Sequence, residues 1–214
     1  FDMGTAALNM QDYAAADRYF STTLMYNYAD PEAAFYRGVA RSRNKNYKGA
    51  EADFSRAIGY RYKDDGVYRE RALARMGQYD YTEAIRDWDK YLAKDSLNST
   101  GQYFRGLCHF QTLEWKKAIE SFDRALRINP GYEQALLDRA AARANLKDYT
   151  GAVADYDAVL QLNPQSAAAY YNRGRAKIES GSRDNGCTDV RRAVELNMSL
   201  IEIGRCQLSL GGRS

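Results

Sequence analysis

Arginine and aspartate side chains recur at fixed intervals in this sequence, and they could either bind an anionic ligand or pair with each other. Five arginines stand at intervals of 34 residues, namely Arg37, Arg71, Arg105, Arg139 and Arg173. The positions sixteen residues further on hold Asp53, Asp87, Ser121, Asp155 and Asp189. In a hairpin of two antiparallel helices such positions lie opposite each other. Since a carboxylate follows four of the five arginines, we favour structural ion pairs over an arginine ladder for an anion, and we predict that Arg139 contacts Asp155.

The residues that most often perform catalysis are isolated in the sequence. The only histidine, His109, is next to Cys108, but neighbours on a helix point about 100° apart and do not form a pair of nucleophile and base. We therefore expect His109 to pack or to face solvent, and Cys108 to be buried and inert.

Paired carboxylates give no better support for catalysis. Asp64 with Asp65, and Asp87 with Asp89, have no nearby residue for the complementary acid or base role, so we expect solvated surface or ion pairing. The sequence contains neither a glycine-rich phosphate loop nor a Cys/His cluster with metal-ligand spacing. It therefore predicts that the chain is not an enzyme and has no catalytic, cofactor or metal site.

Composition excludes two classes of partner. The chain has 214 residues, of which 45% are hydrophobic and 28% charged, with a formal charge of +3. The charges are interspersed and form no basic stripe, so we expect no nucleic-acid partner. No run of about 18 apolar residues is present, so we expect no insertion into a membrane. Only three prolines occur, which suits a nearly all-helical chain.

Small and aromatic residues follow the same interval as the arginines. One small column holds Gly4, Gly38, Ala72, Gly106, Ala140 and Gly174, and a second holds Ala16, Ala50, Ala84, Ala118, Ala152 and Gly186. The large columns hold Tyr13, Tyr47, Tyr81, Trp115 and Tyr149, and then Phe20, Phe54, Trp88, Phe122, Tyr156 and Val190. These columns resemble those of the tetratricopeptide repeat (TPR), a hairpin of helices A and B.

The resemblance covers nearly the whole chain and implies an all-α fold. We expect a right-handed superhelical solenoid of six TPR hairpins, at residues 1–30, 31–64, 65–98, 99–132, 133–166 and 167–200. A C-terminal capping helix is predicted at about 199–210, where Leu200, Ile201, Ile203 and Leu208 would cover the last hairpin. The whole chain, 1–214, would then form a single array.

The cysteines do not decide in which cellular compartment the protein is located. Cys187 falls in the last B helix and Cys206 in the predicted capping helix. Some exported bacterial TPR proteins look similar at this end, and a Cys187–Cys206 disulfide would imply a periplasmic or other oxidising location. Two reduced thiols, and a cytoplasmic location, are the alternative. No signal peptide is visible, but Phe1 already lies inside the first predicted helix, so the missing signal decides nothing.

The resemblance also implies a function, because A helices line the concave face where TPR partners usually bind. We expect a non-catalytic scaffold for a protein or peptide with apolar anchors, and the predicted contact residues are Phe35, Arg69, Met76, Tyr103, Phe110, Leu137, Tyr171 and Arg175. The alternative is an architectural or accessory domain of a larger envelope protein or enzyme complex.

One specialised TPR function is not expected. Chaperone-binding members hold a C-terminal carboxylate with a clamp of lysine, asparagine and arginine on three successive A helices. The first-helix clamp positions here hold Phe35 with Val39, Arg69 with Leu73, Tyr103 with Leu107, or Leu137 with Ala141. None of these pairs matches, so we predict no carboxylate-clamp binding of a chaperone tail.

Overall fold

The computed structural model describes residues 1–196, and this part of the chain is built from twelve helices. Their bounds are α1 Asp2–Asn9, α2 Tyr13–Tyr26, α3 Pro31–Arg43, α4 Tyr47–Gly59, α5 Gly66–Gly77, α6 Tyr81–Lys94, α7 Ser99–Gln111, α8 Trp115–Ile128, α9 Glu133–Asn145, α10 Tyr149–Leu162, α11 Ala167–Glu179 and α12 Arg183–Glu195. The predicted all-α fold of successive hairpins is confirmed. Odd-numbered helices are the A helices and even-numbered ones the B helices. The predicted capping helix and Cys206 lie outside the described residues.

The chain divides into an N-terminal unit, Phe1–Thr112, and a C-terminal unit, Leu113–Ser214. In the N-terminal unit each helix from α1 to α7 packs on the next, and α3 also contacts α1 and α5. In the C-terminal unit each helix from α8 to α12 packs on the next, and α9 also contacts α11. A single array of all six hairpins stays a prediction.

Polar residues start most of the helices. The side chains of Asp12, Asp30, Asn46, Asp80, Asn98, Asp148 and Ser166 each accept a hydrogen bond from the backbone N–H three residues further on. These N-caps satisfy donors that have no partner inside the helix. They fix where each helix begins, and therefore which side of it faces its neighbours.

The small columns exist because other groups lie against them. A side chain at Gly38 would place its Cβ 2.7 Å from the Phe54 ring, which is fully buried. In the last hairpin the two backbones themselves meet, since a Cβ at Gly186 would lie 2.5 Å from the carbonyl oxygen of Gly174. This close approach explains why glycine replaces alanine at Gly186.

Candidate functional site

The arginine column forms ion pairs inside the hairpins. Asp53, Asp87, Asp155 and Asp189, only 1% to 6% exposed, each lie 2.6 or 2.7 Å from the arginine sixteen residues earlier. Arg139 donates from Nε and Nη2 to the two carboxylate oxygens of Asp155, a bidentate arrangement. The predicted contact between Arg139 and Asp155 is confirmed.

A second cation, which the sequence analysis missed, holds the same buried carboxylates. It stands four residues after each arginine, as Arg41, Arg75, Arg143 and Lys177. Its distance to the aspartate is between 2.6 and 2.8 Å. The four-residue spacing places both cations on one side of the A helix, and this spacing was the available signal.

A second carboxylate, from the preceding B helix, completes each cluster. It is Asp17 for Arg41, Glu51 for Arg75, Asp123 for Arg139 and Asp157 for Arg173. Each cluster thus sets two cations against at least two carboxylates, since Glu83 also lies 3.9 Å from Arg75 and Asp148 lies 3.9 Å from Arg143. Hydrogen bonds to Asp189 and Asp157 raise the pKa of Arg173 above its ordinary value, although burial opposes them. The clustered cations are already paired, which disfavours binding of an anion there.

The fourth repeat has different residues at the positions of this charged cluster. Arg105 pairs with Asp89 of the preceding B helix at 3.1 Å. Ser121 takes the position of the buried aspartate, and its hydroxyl donates to the Lys117 carbonyl at 3.0 Å. His109 takes the position of the second cation and is buried. The lone histidine therefore occupies the column of the second cation, in the one repeat of the five where serine replaces the buried aspartate.

Cys108 is buried, as predicted. The side chain is fully buried, and burial raises the pKa of its thiol to about 12, although the neighbouring Trp88 opposes the shift. The thiol, which is the less reactive form, is therefore favoured near neutral pH, in agreement with the expectation of an inert Cys108.

On the N-terminal unit, three predicted partner residues already contact neighbouring groups. The Phe35 ring stacks on Tyr62 with 4.5 Å between centroids. Met76 packs against the core, and Arg69 pairs with Glu70 at 2.9 Å. We call the surface that carries the predicted partner residues the A-helix face.

Two further predicted residues of this unit, Tyr103 and Phe110, are half-buried. The Tyr103 ring lies 5.4 Å from Phe104, which itself stacks on Trp88 at 5.6 Å and 11° between planes. Large side chains thus fill the N-terminal unit's A-helix face, and their role in binding stays a prediction.

On the C-terminal unit the A-helix face is open instead. Helices α9, α10 and α11 enclose a cleft of about 330 Å³, whose lining includes Ala141, Ala144, Tyr156, Asn172, Arg175 and Glu179. The positions two repeats earlier show why the space is empty. Leu73 stands in the column of Ala141, Met76 in that of Ala144, and Phe104 in that of Asn172.

Polar groups around this cleft lack hydrogen-bond partners within the described residues. The side chains of Asn172, Arg175 and Glu179 form neither a hydrogen bond nor an ion pair there. Arg175 lies over the Tyr171 ring, 5.8 Å from its centroid, and its charge acts on the Tyr156 hydroxyl. Burial raises the pKa of Tyr156 to about 12, so its hydroxyl stays protonated and can donate. Of the predicted partner residues, the structure places Arg175 in the cleft and Tyr171 beside it, while Leu137 is half-buried on α9.

Residues 1–196 show neither a cluster of metal ligands nor a membrane-spanning helix. They contain no group of three or more His, Cys, Asp or Glu side chains that could hold a metal ion. None of the twelve helices in this range is long and apolar enough to cross a membrane.

Comparisons with known proteins agree on the family. A model described as tetratricopeptide repeat matches residues 1–65 and 69–133, and one described as TPR repeat matches residues 143–181. No curated protein matches the sequence. The matches do not support the exported type of the family, and the Cys187–Cys206 disulfide stays a prediction.

Solved structures with a similar fold include three TPR proteins. YrrB, described as a TPR protein with an unusual peptide-binding site, has a TM-score of 0.77 at 18% identity over 88% of this chain and 97% of its own. MamA from Desulfovibrio magneticus has a TM-score of 0.72 at 17% identity, over 77% and 93%. The C-terminal part of a TPR protein from Cytophaga hutchinsonii has a TM-score of 0.80 at 16% identity, over 90% and 77%. At these identities the likeness concerns the fold.

Proposed function

The chain belongs to the tetratricopeptide repeat family, and we propose that it is a non-catalytic scaffold that binds a protein or peptide through its A-helix face. The main contact in this proposal is the cleft of the C-terminal unit. TPR proteins serve many unrelated partners, so the proposal depends on the residues displayed on the fold.

The observation that carries the proposal is the set of unpaired polar groups around an open cleft. In the same unit Arg139, Arg143 and Arg173 are all bound to carboxylates. Arg175 has no carboxylate partner, and Asn172 next to it on the cleft wall makes no hydrogen bond. Polar groups that converge on a cleft without partners are the usual sign of a ligand site.

The chemistry of these groups suits a peptide. The Asn172 amide both donates and accepts, Arg175 donates, and Glu179 accepts. Such a mixture complements the alternating N–H and C=O groups of an extended main chain. The short side chains of Ala141 and Ala144 leave room for an apolar anchor residue. The peptide-binding site in the description of YrrB supports the same class of function.

Selection from a displayed library of random peptides on the immobilised chain tests this proposal. The enriched peptides are then titrated against the variant Ala144→Met, which places in the cleft the residue that Met76 supplies two repeats earlier. We expect at least about tenfold weaker binding, because the anchor residue loses its space. Ala154→Met, an identical change at an exposed position of α10, is the control and should bind normally.

Two results would count against the proposal. Equal affinity of the wild type and Ala144→Met would show that peptides bind elsewhere than in the cleft. A selection that enriches no peptide at all would favour the alternative function, an architectural or accessory domain.

A further inference from the structure

Exposed apolar side chains stand at the ends of two B helices in the N-terminal unit. Met25, Tyr26 and Tyr28, at and just beyond the end of α2, are 84%, 91% and 61% exposed. Tyr60, just after α4, is 39% exposed, and Arg56 lies in the last turn of α4. We call these five residues the edge patch.

Direct contacts hold part of the edge patch in place. Arg56 Nη2 donates to the Tyr28 hydroxyl at 3.1 Å, and the guanidinium carbon lies 4.3 Å from the Tyr28 ring centroid. The Tyr60 ring meets Tyr28 edge-on, with 6.2 Å between centroids. An aromatic pair and a cation are therefore fixed in advance, which lowers the entropic cost of binding a partner.

The cation of the edge patch lacks a carboxylate partner in residues 1–196. Arg56 has no carboxylate partner within the described residues, unlike the arginines of the buried clusters. Arg61 and Lys63 follow close by in the chain and are exposed. The neighbouring Asp30 is engaged by the Ala33 N–H, where it caps α3. Asp64 accepts from the Gly66 N–H. Both carboxylates keep their charge, but neither pairs with Arg56.

The fold itself does not explain Tyr28. Its column holds Pro130 and Pro164 in later repeats, and tyrosine in the first two. Tyr62, the second of these tyrosines, packs against the core and stacks on Phe35. Tyr28 remains 61% exposed. An exposed, held aromatic ring beside an unpaired cation is typical of an interaction surface.

We propose that the edge patch binds an acidic protein segment that carries an apolar or aromatic side chain. The carboxylates of the segment pair with Arg56 and its basic neighbours, and the apolar side chain packs on Tyr26, Tyr28 and Tyr60. This surface shares no residue with the cleft and gives the scaffold a second partner. The full chain could then join two proteins.

Fluorescence anisotropy with a defined probe tests this inference on the full chain. The probe is a labelled peptide of about ten residues, with acidic residues on both sides of a Phe-Leu pair. A matched peptide has lysine in place of every acidic residue. We expect the acidic probe to bind, the basic one not to bind, and added salt to weaken the complex.

Three variants locate the binding site. Arg56→Gln and Tyr26→Ser should each weaken binding of the acidic probe by about three- to tenfold. Tyr26 is too exposed for its loss to unfold the chain. Arg124→Gln removes the same charge from the same column two repeats later, and should leave binding unchanged. Far-UV circular dichroism checks that all three keep their helices.

Several outcomes would overturn the inference. The first is that the acidic probe does not bind. The second is that the wild type and Arg56→Gln bind it equally well. The third is that the chain binds anionic lipid vesicles more tightly than it binds the peptide. If Ala144→Met no longer bound the acidic probe while Arg56→Gln bound it fully, the probe would be shown to bind in the cleft. Failure of the cleft proposal, in contrast, would leave these measurements unchanged.

Discussion

The two units share one kind of charged cluster but differ in what occupies the face of their A helices. In the N-terminal unit, Phe104 stacks on Trp88 and fills the space between neighbouring hairpins. In the C-terminal unit, Asn172 and Tyr156 occupy the matching columns, and a cleft remains. The buried clusters recur in both units, from Arg71 with Asp87 to Arg139 with Asp155.

This difference separates residues that maintain the repeat from residues that are available for a partner. A feature that recurs in both units, such as the buried cluster, belongs to the scaffold. A feature confined to one unit, such as unpaired Arg175 in an open cleft, is not required by the fold. The predictions below test this division.

Loss of a buried cluster carboxylate should have the largest effect, and the same effect in both units. Asp87→Asn and Asp155→Asn each leave two cations without their main partner, and each should cost about 3–5 kcal/mol of unfolding free energy. Urea unfolding followed by circular dichroism measures this cost. The control Asp184→Asn, at an exposed site in the first turn of α12, should cost less than about 0.5 kcal/mol.

A cost below about 1 kcal/mol for either cluster variant would contradict the scaffold role. A large cost in one unit alone would show that the clusters are not equivalent.

Alanine substitution on the A-helix face should separate the two units. Phe104→Ala removes a stacked ring and should cost about 2–4 kcal/mol. Asn172→Ala removes a side chain without a hydrogen bond, and should change stability by less than about 0.5 kcal/mol. Thermal and urea unfolding give both values. Similar costs for the two variants would mean that Asn172 supports the fold after all.

Alkaline pH should weaken both units, the N-terminal unit through the half-buried Tyr62 and the C-terminal unit through the buried Tyr156. Burial raises the pKa of Tyr62 and of Tyr156 to about 12. A raised folded-state pKa favours the protonated phenol, so its stabilising effect is complete below about pH 10 and is lost as pH rises towards 12. Tyr62→Phe and Tyr156→Phe should each flatten the fall of unfolding free energy over this range. An unchanged pH profile in both variants would contradict the burial argument.

The turn between helices A and B should respond least, and alike in both units. Lys45 and Lys147 have φ near +60°, a left-handed conformation that costs an ordinary residue about 1–2 kcal/mol. Glycine avoids this cost but loses more chain entropy on folding. Lys45→Gly and Lys147→Gly should each gain about 0.5 kcal/mol in urea unfolding. A loss of stability in either variant would show that the lysine contributes more than its backbone strain costs.

The sequence predicted features that depend on one repeated residue type. The pair Arg139 with Asp155 followed from two regular columns. The second cation escaped notice because its column mixes Arg143 with Lys177 and His109, so no single residue type marks it. Its role depends on geometry, which brings two side chains four residues apart onto one carboxylate.

The cleft could not be predicted for a different physical reason. Ala141 and Ala144 look like any core alanine in the sequence, for example Ala140, which is fully buried. Only the neighbouring side chains decide whether the space beside a small residue is filled. The same limit applies to Phe35, predicted as a partner anchor, since its stack on Tyr62 depends on the path of a later loop.

The most direct test of the account is the affinity of a library-selected peptide for Asn172→Phe. This change gives the C-terminal unit the residue that Phe104 provides in the N-terminal unit, where it stacks on the matching aromatic ring. The account predicts at least about tenfold weaker binding, with an unfolding free energy that is unchanged or about 0.5–1.5 kcal/mol higher. Unchanged affinity in a stably folded Asn172→Phe variant would contradict the central claim that the cleft binds the partner.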